Sequence, residues 1–201
     1  MKKQLVLLAW LVVVTTSALA QLPQQSEDIS PKLNGEEIPE ARLKTPDGNT
    51  EMISRIIKER PTVLLIYRGG WCPYCNAHLS EIQKAESKVL ELGYQIVAIS
   101  PDSPENLRIT DNKHQLNYRL YSDAKGEFIK ALGIAFQAPE KYSGMLNKRS
   151  GGKNEGVLPV PSVFVVDKEG KILFEYINPD YKTRLSAGLL LAVLKELKSE
   201  Y

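Results

Sequence analysis

The chain is short of cysteine, of histidine and of charge imbalance, and each shortage excludes something. It has two cysteines and two histidines in 201 residues. A zinc site built from them has only Cys72, Cys75, His78 and His114 to draw on, with no second Cys-X-X-Cys and no His-X-His. A disulfide framework spread over a small domain is excluded as well. The formal charge is +2. Both lysines of the first twenty residues contribute to it, and no acid stands there. The remainder is near neutral, which argues against nucleic acid and anionic lipid as partners. No internal repeat is visible.

The N-terminus reads as a secretory signal peptide over residues 1–20. Met1-Lys2-Lys3 is basic, Leu5 to Val14 is unbroken apolar, and Ala18-Leu19-Ala20 is an A-X-A cleavage site. The competing reading is an uncleaved anchor, but the apolar stretch is shorter than the ~20 residues of a membrane span. No cysteine follows the cleavage point to carry a lipid. The expected location is outside the cytoplasm, periplasmic or extracellular, with no stable membrane insertion after cleavage. Residues 21–36 are polar and read as a flexible leader. Residues 37–201 read as one domain, long enough for a sizeable core.

Within it, Pro61 to Tyr67 is apolar and β-branched, as in a strand buried on both faces. Leu79, Ile82, Ala85, Val89 and Leu92 recur on one helical face that Gly93 closes. Tyr94 to Ser100 is a second buried strand. Strand, helix and strand in this order predict a right-handed parallel βαβ unit. Ser103-Pro104 opens a further helix. Asn117 to Tyr121 is a short strand, and Asp123 to Leu132 a short helix. Residues 135–159 show no firm period and read as a long functional or mobile loop. Ser162 to Val166, the turn Asp167–Gly170, and Lys171 to Ile177 form a hairpin. Ser186 caps a last helix bearing Leu189, Leu190, Val193, Leu194 and Leu197. The fold class is therefore α/β, a central mixed sheet flanked by helices.

The two cysteines sit where the first strand passes into the first long helix, in Tyr67-Arg68-Gly69-Gly70-Trp71-Cys72-Pro73-Tyr74-Cys75. A bridge between them would close too small a loop to stabilise much. A Cys-X-X-Cys at a helix N-terminus is instead a redox pair: the first thiol ionises and attacks, and the second resolves it. Cys72 is the candidate nucleophile and Cys75 the resolving thiol. Arg68 stands four residues earlier and can stabilise thiolate or peroxide oxygen, against the alternative of a surface cation. Trp71 can cover the thiol and meet partners, or be a core aromatic. His78 reads as a solvated helix position. Pro161 is the second-site candidate: a cis bond there would offer a backbone edge to a bound substrate, a trans bond an ordinary strand entry.

This order of elements resembles the thioredoxin fold. The cysteine motif, together with Val160-Pro161-Ser162-Val163-Phe164-Val165-Val166-Asp167, resembles the peroxiredoxin-like AhpC-TSA family from about residue 35 onward. The resemblance implies an antioxidant thiol-dependent oxidoreductase. It would reduce peroxides through a Cys72–Cys75 disulfide, need no cofactor, and be regenerated by a thiol electron-donor protein. Two alternatives stay open: a thioredoxin-like protein disulfide reductase of the cell envelope, and a metal-binding thioredoxin-fold module. The chain departs from ordinary peroxiredoxins where they carry Pro and Thr seven and three residues before the reactive cysteine; here Leu65 and Gly69 stand. It also has Pro161-Ser162 where they begin a strand with Arg. The expected reaction with peroxide is therefore slower than that of specialised peroxidases.

Overall fold

The computed structural model describes residues 21–199; the signal peptide expected over residues 1–20 lies outside the described residues. Nine strands and six α-helices follow in the order β1 (Arg42–Lys44), β2 (Thr50–Met52), α1 (Ile53–Ile57), β3 (Thr62–Ile66), α2 (Pro73–Glu91), β4 (Gln95–Ser100), α3 (Pro104–His114), β5 (Arg119–Ser122), α4 (Glu127–Ala131), β6 (Ala135–Gln137), α5 (Ser143–Arg149), β7 (Val157–Pro159), β8 (Ser162–Val166), β9 (Ile172–Ile177) and α6 (Ala187–Ser199). Seven strands make one sheet, in the order β2-β1-β5-β4-β3-β8-β9. β3, β4 and β5 run parallel, and β8 returns antiparallel to β3 with Ile66 opposite Ser162.

Strands β3, β4 and β8 are buried throughout because both sheet faces are covered. Their side chains alternate between two cores. Val63, Leu65, Ile96, Ala98, Val163 and Val165 meet Leu79, Ile82 and Val89 of α2, Leu107 of α3 and Leu190 and Leu194 of α6. Leu64, Ile66, Val97, Ile99, Phe164 and Val166 meet Ile53, Ile56 and Ile57 of α1 and Phe128 and Ile129 of α4 on the other face. Each such side chain contributes about 1.5–3 kcal/mol by leaving water. Both cysteines belong to the first core, so the redox pair sits at its edge.

Helix α2 begins as its sequence requires. Cys72 is the N-cap in extended conformation, Pro73 occupies the first turn, and Gly93 follows the last turn at φ 93°. Ser103 caps α3 through its hydroxyl, which accepts from the Asn106 amide.

Two expectations give way. Residues 135–159 are not a structureless loop. β6 and β7 pair antiparallel, with a 3-10 turn (Glu140–Tyr142) and α5 between them. Ser150 Oγ accepts from the Asn154 amide, and Asn154 Oδ1 accepts from the amides of Gly156 and Val157, which ties down the glycine-rich stretch. Elements of three to seven residues are too short to show a period. The polar segment 21–36 is not free of the domain either. The Lys32 amide donates to Leu132 O, Gly35 to Ile172 O, and Gln137 to Pro23 O. Leu22 and Ile29, two apolar residues in a polar run, pack against the second core.

Candidate active site

The central strand β3 delivers Tyr67 and Arg68 at its C-terminal end, and a sharp turn then swings the chain into α2. Gly69 makes that turn at φ 130°. A Cβ there would lie 2.7 Å from Trp71 Cδ1 and 2.9 Å from Asp102 Oδ1. A β-branched threonine cannot stand at this position in this loop, which accounts physically for one departure from the peroxiredoxin pattern. The Gly70 amide donates to Asp102 Oδ2 at 2.7 Å, and Asn76 Nδ2 donates to Gly70 O at 2.9 Å. Asp102 is held from behind by Arg149 of α5, at 3.2 Å. The loop is thus fixed from both sides before the cysteines begin.

Both thiols are free and both residues are only 1% exposed. Their environments pull them apart. Cys72 is lowered to about 6, first by the hydrogen bond from the Cys75 thiol, then by the Cys75 backbone amide and the charges of Arg68 and Arg184; burial opposes these. Cys75 is pushed well above the ordinary thiol range, first by burial and next by its interaction with Cys72. Near neutral pH the pair therefore holds one thiolate, on Cys72, and one thiol, on Cys75.

Arg68 is not a surface cation. It is 4% exposed, and its guanidinium carbon lies 4.3 Å from the Tyr181 ring centroid, 5.0 Å from that of Trp71 and 5.3 Å from that of Tyr142. Its Nε is buried and has no hydrogen-bond partner among the described residues. Trp71 is half-buried, packs against both the first core and the small cluster of Ala138, Leu146 and Leu158, and lies 5.5 Å from Tyr142. A cavity of about 200 Å³ opens beside this group, with Arg68 and Pro161 on its wall together with Tyr142, Val160 and Tyr181. The Pro161 bond is trans, since there is no cis peptide among the described residues, so the docking edge that a cis bond would offer is not formed.

His78 corrects another expectation. It is 9% exposed, and its Nε2–H donates to Leu185 O at 3.0 Å. The face of α2 that carries it is covered by the chain entering α6, and a helical period cannot reveal that cover. Burial lowers its pKa, so it is neutral. Among the described residues no group of three or more His, Cys, Asp or Glu is placed to hold a metal ion.

Arg184 went unnoticed in the sequence. It lies between β9 and α6, and its Nη2 comes 3.5 Å from Cys75 Sγ. A lone cation in a polar connection carries no signal of its target more than a hundred residues away.

A shielded thiolate beside a protonated partner is redox chemistry, and the sequence comparison specifies which kind. Residues 34–174 match the AhpC/TSA family. The chain belongs to that family. This AhpC/TSA protein is 26% identical over 155 residues to Peroxiredoxin Bcp of Bacillus subtilis (strain 168), covering 77% of this chain and 91% of that protein. It is 24% identical over 128 residues to the thiol-disulfide oxidoreductase ResA of Bacillus cereus (strain ATCC 10987), covering 63% of this chain and 61% of that one. Among solved structures, reduced Prx3 of Vibrio vulnificus in complex with hydrogen peroxide superposes with a TM-score of 0.70 at 17% identity, over 81% of this chain and 99% of that one. The peroxiredoxin-like protein from Aquifex aeolicus gives 0.67 at 20% identity, over 89% and 98%. The fold is thus the thioredoxin-like fold of the peroxiredoxins, and the protein is a thiol-dependent oxidoreductase.

Proposed function

We propose that the protein is an exported peroxiredoxin-like peroxidase that works through a Cys72–Cys75 disulfide. The observation that carries this reading is the state of Cys72: lowered to about 6, yet 1% exposed. A reactive thiolate shielded in this way suits a small oxidant better than a folded protein's disulfide. The cavity nearby is lined by Arg68, whose charge acts on Cys72, although neither cysteine is on its wall. The Cys72 thiolate attacks the distal peroxide oxygen. The O–O bond breaks, the alcohol or water leaves with a proton, and Cys72 becomes a sulfenic acid. Cys75 then attacks that sulfur, water departs, and the disulfide forms. Two electrons from a thiol donor restore both thiols. The basic start, apolar stretch and A-X-A site of residues 1–20 support export.

The second reading, a disulfide reductase of the cell envelope, is favoured by the similarity to ResA and uses the same two cysteines. Peroxide consumption with a thiol regenerant, measured beside reduction of a protein disulfide with the same regenerant, separates the two. Peroxide turnover well above that of free thiol supports the peroxidase. Rapid disulfide reduction without it overturns that reading and leaves the reductase.

A further inference from the structure

Burial leaves Cys75 a poor thiolate, yet any cycle through a Cys72–Cys75 disulfide requires its sulfur to carry negative charge twice. It does so once as it attacks the Cys72 sulfenic acid, and once as it leaves when the disulfide is reduced. The surroundings of Cys75 Sγ hold two groups that oppose burial: the Arg184 guanidinium, with Nη2 at 3.5 Å, and the Arg68 backbone amide. Arg184 Nε is buried and without a hydrogen-bond partner among the described residues, so none of their carboxylates holds the guanidinium on that nitrogen. No Arg184–carboxylate ion pair occurs among the described residues. Its charge also bears on His78, which is neutral, and on the exposed carboxylate of Asp180, which forms no ion pair with it. Arg184 is half-buried, and a cation this close to a buried sulfur is screened less than one in open water.

We propose that Arg184 is a catalytic residue of the resolving and regenerating steps, stabilising the Cys75 sulfur whenever it bears negative charge. The inference rests on the two-cysteine cycle of the proposed function, and it does not depend on which oxidant closes the disulfide. In regeneration a donor thiolate attacks Cys72 Sγ, the sulfur of the α2 N-cap residue. The S–S bond breaks, and its electron pair leaves on Cys75 as thiolate beside Arg184. That thiolate takes up a proton, and a second donor thiolate attacks the sulfur of the first, forming a donor disulfide and releasing Cys72 as thiolate. A leaving thiol departs faster as its thiolate is stabilised, so the cation accelerates the bond-breaking step. The attack of Cys75 on the sulfenic acid is the same contact used in the forward direction. Formation of the sulfenic acid starts from the Cys72 thiolate and passes its charge to the departing peroxide oxygen, and it needs Arg184 less, since the effect of Arg184 on Cys72 ranks below those of Cys75 and Arg68.

The experiment separates these steps in the full chain. The disulfide is first formed with diamide, and its reduction by dithiothreitol is followed by thiol counting. Sulfenic acid formation with hydrogen peroxide is followed separately in the Cys75→Ser background. Arg184→Gln should slow reduction of the disulfide roughly three- to tenfold. It should change sulfenic acid formation by no more than about twofold. Arg184→Lys, which keeps the charge, should recover most of the reduction rate. Equal slowing of both reactions, or the same loss in the Lys and Gln variants, marks a merely structural residue and overturns the proposal. Unchanged reduction in Arg184→Gln overturns it as well. Failure of diamide to form any disulfide overturns the two-cysteine cycle itself, and is distinguished by thiols that remain countable in the wild type.

Discussion

Replacing Cys75 by alanine tests the electrostatics of the pair, because the Cys75 thiol is the first cause of the low Cys72 pKa. An unperturbed thiol titrates near ~8.5, and Cys72 is held at about 6. Without the S–H donor, burial still opposes ionisation, while the helix N-terminus, Arg68 and Arg184 still favour it. The expected rise is about 1.5 units. At pH 7 the thiolate fraction then falls from about 90% to about 25%. Thiolate nucleophilicity climbs with pKa, at a Brønsted slope of ~0.4–0.5, and returns roughly fivefold. The two effects nearly cancel, so the alkylation rate at pH 7 barely moves and a single-pH assay would miss the change. The informative measurement is iodoacetamide alkylation of the Cys72 peptide from about pH 4.5 to 9, fitted for its midpoint. Wild type should give a midpoint near 6, Cys75→Ala one about 1.5 units higher, and Cys75→Ser, which keeps an O–H donor, one within about half a unit of wild type. Coincident midpoints for wild type and the alanine variant would refute the hydrogen-bond account and leave the charges and the helix N-terminus as the cause.

Gly70→Ala places a Cβ onto Thr110 Oγ1, and Thr110 is buried at 3% exposure, so overpacking should cost about 1–3 kcal/mol in urea denaturation. Ile82→Ala, fully buried in the first core, should cost about 2–5 kcal/mol by the same measurement with the slope unchanged. The folded pKa of His78 is depressed, so the stability tied to its neutral form is present above ~6.5 and is lost as pH falls through the folded value. Wild type should therefore weaken between pH 7.5 and 5 by more than His78→Asn, which keeps a donor but does not titrate; parallel pH curves would contradict this.

The central elements were legible because they are long and apolar on a clear period. Strands β3 and β4 showed as continuous apolar runs, α2 and α6 as stripes, and the β8–β9 hairpin by its Asp-Lys-Glu-Gly turn. Cys72, Cys75 and Arg68 were legible because they lie in one local motif at a strand-to-helix junction. What the chain brings in from far away was not. Tyr142 and Tyr181, which box Arg68, and Arg184, which meets Cys75, come from short elements and connections whose positions are set by packing. His78 looked solvated because the segment that covers it starts more than a hundred residues later. The leader's few apolar residues were outweighed by its polar average, although the contacts of Leu22 and Ile29 and a few backbone hydrogen bonds suffice to lay it against the domain.

The most direct test of the central claim is peptide mapping by mass spectrometry, after the fully reduced protein meets one equivalent of hydrogen peroxide. The account predicts the loss of two hydrogen atoms and a single cross-linked product joining Cys72 to Cys75, with Cys75→Ser stopping at a Cys72 sulfenic acid. Thiols left intact under those conditions, or a first oxidation found on Cys75, would contradict it.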